Sequence, residues 1–193
     1  MRHVPRRPAA ALIAAAIVCA THVLLARVDV RVAFDKEFNF KPVHTWAWSP
    51  NGPGDVKMAR TPTDDPDAIR KRAEPIILDA VATGMKSRGL EEAAANPDVT
   101  IMYYVLLTTS MNAQTAGQFL PAVPYWGLPA FPAATTSLKV MNQGSLVLDI
   151  SGKQNVVWRG VADAQLKMDA EDKKREQVLR DAVRDLLRRF PPR

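Results

Sequence analysis

"GSLVLDISGKQNVVWRGVAD", residues 144–163, is the stretch that decides the fold. Leu146, Leu148 and Ile150 alternate with Ser145, Val147 and Asp149, the period-two pattern of a β-strand. "SGKQN" then supplies a Gly-containing turn, and Val156 and Trp158 resume the alternation. This is a β-hairpin. Trp158 falls on the apolar face, and Arg159 points the other way. Arg159 is expected to pair with Asp149 across the hairpin or with a helix carboxylate, an interaction worth about 0–1 kcal/mol at an exposed position. Anion binding is the other role open to it.

Working outward, "PDVTIMYYVLLT" (97–108) is rich in β-branched and aromatic residues, with Val99, Ile101, Tyr103, Val105 and Leu107 on one face. Residues 28–34 alternate as well, Val28, Val30, Val32 and Phe34 against Asp29 and Arg31. "VHTWAWSP" (43–50) reads as a further strand. Residues 50–66 are rich in Pro, Gly, Asp and Thr and read as a loop. The first helix is expected after Asp64 or Asp65 as cap, with Pro66 in its first turn, Pro75 bending or delaying it and Gly89 ending it. Its stripe is Ile69, Ala73, Ile76, Ile77, Ala80 and Val81. A last helix runs through "AEDKKREQVLRDAVRDLLRRF", apolar at Val178, Leu179, Ala182, Val183, Leu186, Leu187 and Phe190. Glu176–Arg180 and Asp185–Arg189 are spaced for ion pairs on its wet face.

The order β-β-α-β-β-β-α predicts an α+β fold: a mostly antiparallel sheet of about five strands with two amphipathic helices on one face. Leu106 opposes Val105 and Val147 opposes Leu148, so the second face of the sheet also calls for cover. Between the third and fourth strands lies residues 109–143, a long Pro/aromatic loop with almost no charge. A loop of that length in a compact domain is unusual.

The 193-residue chain suits one domain behind a leader. "MRHVPRR" is basic and "PAAALIAAAIVCATHVLLA" is apolar, the pattern of a secretory signal over residues 1–26. Cleavage after Ala20 or Ala26 fits, Ala26 better because the first strand follows. Residues 27–193 then form the α+β domain, placed in the periplasm. Two alternatives stand beside cleavage: an uncleaved anchor through residues 9–26, or lipidation of Cys19, where Val18 occupies a position that wants a small residue. Cys19 is the only cysteine. A cleaved chain therefore has no disulfide, thiolate metal site or cysteine nucleophile.

The net charge is +6. Arg2, Arg6 and Arg7 supply three charges, and residues 171–193 the other three, with eight Lys/Arg against five Asp/Glu. A surplus split between a leader and one helix does not make a nucleic-acid face. No nucleic-acid partner is expected.

Several of these stretches together resemble a bacterial family catalogued as domain of unknown function 4136. They are the opening strand Val30–Asp35, Phe40 with "TWAWSP" from Thr45 to Pro50, the hairpin from Gly144 to Ala162 with "VWRG", and "FPP" from Phe190 to Pro192. The resemblance covers essentially the whole chain after the leader. It implies an α+β envelope protein, often a predicted lipoprotein, with no assigned activity. It supplies no functional residues.

Catalytic chemistry finds little foothold. His3 and His22 lie in the leader, leaving His44 alone. No serine sits in a nucleophile elbow, "NGPG" lacks the lysine of a phosphate loop, and the acid pairs at 64–65 and 91–92 read as solvated helix ends. No catalytic residue, metal ligand or cofactor is assigned, and an enzyme is not expected. A hydrolase built on carboxylates is the remaining catalytic alternative. Trp46 and Trp48 share one strand face and are expected in the core rather than on a stacking platform, and Trp158 with them. The candidate contact residues are Phe119, Tyr125, Trp126 and Phe131, interleaved with prolines. They suit a partner protein of the envelope or a membrane surface, a lid over the sheet, or a tolerated insertion. The expected activity is binding, without catalysis, to an unidentified envelope component. Oligomeric state is not legible.

Overall fold

The computed structural model describes residues 28–58, 65–107, 143–153, 155–165 and 171–192. Alternation of apolar side chains makes the strands β1 (Asp29–Phe34), β2 (Thr45–Trp48) and β3 (Gly54–Met58). Helix α1 (Pro66–Lys86) follows, then β4 (Glu91–Glu92), β5 (Val99–Leu107), β6 (Gln143–Ser151), β7 (Val156–Gln165) and helix α2 (Asp172–Leu187). The fold is α+β, as the patterning predicts.

The sheet differs from the expectation in two details: it has seven strands and is mixed. Its order is β1-β7-β6-β5-β2-β4, with β3 also on β5. The β1, β7, β6 and β5 ladders are antiparallel, whereas β2 and β3 both run parallel to β5. Parallel neighbours need a crossover of a dozen residues or more, and the 21-residue α1 provides it. Strand β3 was hidden in the stretch read as a loop, because five residues between turn chemistry leave little period. Its first residue, Gly54, lies flat under the Tyr103 ring, and a Cβ there would sit 2.3 Å from ring atoms. Glu91 and Glu92 form the short strand β4 rather than a helix end.

Asp65 caps α1, its Oδ1 accepting from the amides of Asp67 and Ala68 at 3.0 and 3.1 Å. Pro75 stays inside an unbroken helix. It lies on the exposed side of the helix, as does Lys71, whose carbonyl loses its partner there. Gly89, at φ 76°, ends the helix: its N–H donates to Lys86 and that of Leu90 to Met85. On α2 the Glu176–Arg180 pair forms at 3.0 Å. The expected Asp185–Arg189 pair is replaced by contacts of Asp185 with Arg184 and Arg188 at 3.3 and 3.5 Å.

Both helices pack on one face of the sheet, and that layer is the main core. Trp46, Trp158, Tyr103 and Phe190 are its largest anchors, each essentially without exposure. Trp48 is half-buried against the core and meets Trp46 edge-to-face at 5.5 Å. Phe190 stacks edge-on against both Trp158 and Phe40, at 5.5 and 5.9 Å. The tryptophan pair is therefore core, as expected.

Candidate functional site

The face of the sheet away from the helices follows from the strand register. One row across it reads Ala33, Arg159, Asp149 and Met102. The next reads Arg31, Val161, Val147, Tyr104 and Asp55, and the third Asp29, Asp163, Ser145, Leu106 and Lys57. Tyr104, Leu106, Val147 and Val161 form a second apolar cluster, with Met102 packed on it and no helix residue in it. All four are buried.

In that apolar setting sits an ion pair. Arg159 Nε donates to Asp149 Oδ1 at 2.6 Å and Arg159 Nη2 to Oδ2 at 2.5 Å. The side chains are 5% and 3% exposed, which decides its character: this is a buried pair. Burial pushes the Asp149 carboxyl up, and the Arg159 guanidinium opposes that rise. Both carboxylate oxygens are engaged by the fork, so the pair ties β6 to β7. The sequence placed Arg159 opposite Asp149 and also allowed a helix carboxylate; the structure selects Asp149. Exposure was the part sequence reasoning missed. Its only signal was that Val147 and Leu106 are apolar on the second face, which the sequence already marked as needing cover.

A second polar group lies at the edge of the same face. Asp163 on β7 accepts from Arg31 on β1 and from Ser145 on β6, joining three strands through one carboxylate. Lys57 pairs with Asp55 along β3. The Tyr104 hydroxyl reaches Met102 Sδ at 3.4 Å, and burial raises its pKa above the ordinary value.

Two further arrangements lie elsewhere. On the helix side, the Tyr103 hydroxyl donates to Glu74 Oε2 at 2.6 Å, and burial, with the adjacent Glu74, raises the phenol well above its usual range. At the start of β2, Asp98 Oδ2 accepts from the amides of His44 and Thr45 and from Thr45 Oγ1, each at 2.9 Å. These bonds hold its carboxyl below the usual carboxylate range, the His44 amide contributing most. His44 is exposed. Among the described residues no three His, Cys, Asp or Glu side chains converge as metal ligands. The candidate contact residues Phe119, Tyr125, Trp126 and Phe131 lie outside the described residues, as does the 1–26 leader.

A family model described as Domain of unknown function (DUF4136) matches residues 30–192. The chain belongs to the DUF4136 family. No curated protein matches its sequence. Among solved structures, a PDZ domain protein from Parabacteroides distasonis is similar at 14% identity and a TM-score of 0.51. The match covers 88% of this chain and 38% of that protein, so the chain spans well under half of it. A DUF4136 family protein from Bacteroides thetaiotaomicron matches over 85% of this chain and 96% of its own, at 18% identity and a TM-score of 0.48. The first of these likenesses speaks to fold alone.

Within this DUF4136 chain the stretches that carried the family resemblance are mainly packing. The first Trp of "TWAW", the Trp of "VWRG" and the Phe of "FPP" are core residues. The glycine of "VWRG", Gly160, lies beneath the Trp158 ring and Leu186, with no room for a Cβ. Arg159 of that motif turns to the other face.

Proposed function

We propose that this DUF4136 protein is an exported, non-catalytic envelope protein that acts by binding another envelope component. The observation that carries the reading is the proline-aromatic stretch between β5 and β6, whose one charged residue is Lys139. It leaves and rejoins adjacent, paired strands, Leu107 lying opposite Gly144, at one end of a sheet whose helix-free face carries an apolar cluster. Phe119, Tyr125, Trp126 and Phe131 are the contact residues in this reading, since aromatics at that density favour a surface to pack on. The basic-apolar leader supports the address. The bidentate Asp149–Arg159 pair supports a structural rather than an acid–base role for this buried carboxylate.

In-cell photo-crosslinking from position 126 tests the binding claim. One discrete heavy adduct is expected. Crosslinks confined to the chain itself overturn it. Cell fractionation with intact-mass analysis tests the address: a mature start at Thr21 or Arg27 in the periplasmic fraction is expected, and an unprocessed cytoplasmic chain overturns it. The second reading, a tethered protein, rests on the apolar run 9–26 and on Cys19. An acyl adduct on Cys19, or an intact leader in the membrane fraction, would select it.

A further inference from the structure

The two edges of the sheet are unlike. At one, β4 is two residues long and both are exposed glutamates, while β3 carries Asp55 and Lys57. Short strands and edge charges are how sheets discourage pairing with other chains. At the other edge β1 runs six residues, and among the described residues it has a neighbour, β7, on one side only.

Which β1 groups point outward follows from one hydrogen bond. The Asp35 amide donates to the Val157 carbonyl at 2.8 Å, continuing the β1–β7 register. In an antiparallel ladder residues alternate between bonding that neighbour and turning their N–H and C=O away. Arg31 and Ala33 therefore bond to β7, and Val30, Val32 and Phe34 aim their backbone groups at the open side.

We propose that β1 is a self-pairing edge, joining two copies of the chain antiparallel with Val30 on the two-fold axis. Charge selects this register. With Val30 opposite itself, Asp29 faces the partner's Arg31 twice, in the closely spaced non-hydrogen-bonded positions where side chains interact most strongly. Val28 then meets the partner's Val32. Sliding the pairing by one step in the same hydrogen-bonding phase sets Arg31 against the partner's Arg31. A further step sets Asp29 against the partner's Asp35. Both oppose like charges. Asp29 is exposed, and Arg31 keeps its bond to Asp163 from the neighbouring strand. The contact is isologous, so it closes at two copies and does not propagate.

Sedimentation equilibrium of the purified protein, as the cell processes it, is the test. Across a concentration series the mass should rise towards twice that of one chain. Asp29→Arg and Arg31→Asp each place like charges across the axis and should each hold the chain as a monomer. An equimolar mixture of the two restores both pairs and should recover the doubled mass. Val30→Pro removes an outward amide without removing a bond to β7, and should also be monomeric with an unchanged circular dichroism spectrum. A wild-type mass that stays at one chain overturns the proposal. So does self-association that survives both Asp29→Arg and Val30→Pro, and so does failure of the folded charge variants to recover on mixing.

Discussion

Asp149 and Arg159 show what a single residue pair owes to its surroundings. Each side chain deprived of the other would leave a buried charge in an apolar layer without its bidentate partner. Arg159→Ala or Asp149→Ala should therefore lose about 3–5 kcal/mol in urea unfolding, while the double change to Asp149→Leu and Arg159→Met should recover most of it. A single variant that loses only a few tenths would mean the pair is solvated. Gly160 makes the complementary case on the other face. A Cβ there would lie 2.4 Å from the Trp158 ring and 2.7 Å from Leu186. Gly160→Ala should lose about 1–3 kcal/mol through overpacking, measured the same way. The pairing of Asp149 with Arg159 was legible because a hairpin register is local. The glycine's reason was not, since Leu186 comes from a helix 26 positions further along the chain.

At the scale of elements, Asp98 is the fastener that holds the start of β2 to β5. Besides the three bonds it accepts, its own amide donates to Thr45 Oγ1 at 3.0 Å. Because its carboxyl is held below the ordinary value, the stability it contributes is fully present above the unfolded-state pKa of about 3.9 and is lost as pH falls through the folded value. Asp98→Asn should thus lower the melting temperature at neutral pH, and the gap to the wild type should close as the solution is acidified below about pH 4. A gap that is constant with pH would assign the effect to shape rather than charge. The helices were the most legible elements, since a cap, a proline in the first turn and a three-and-four spacing are all written within one segment. Strand β3 was the least legible. Val56 is buried, and the identity of β3 as a strand comes from β5, about fifty positions on.

The whole molecule buries apolar side chains on both faces of one sheet, and the adjacent Tyr103 and Tyr104 sample the two layers. Both phenols are raised by burial, so the folded state keeps protons that the unfolded chain releases from about pH 10 upward. Stability should be intact below that value and fall as pH rises beyond it. In an absorbance titration at high pH, two of the three tyrosines should ionise late and together with loss of the circular dichroism signal. If all three titrate near pH 10 in a folded chain, at least one of the two faces is open to water.

The sequence by itself determined the α+β class, the 144–163 hairpin, the two amphipathic helices and the inward turn of Trp46 and Trp158. Each of these is a periodicity, and a periodicity is a short-range property that a strand or helix carries wherever it is placed. Only the tertiary structure decided that β2 and β3 run parallel to β5, and that Asp149 and Arg159 are buried. A parallel pair is selected by where a crossover helix returns the chain. Burial is selected by what packs over a face, and neither is written in the residues that undergo it.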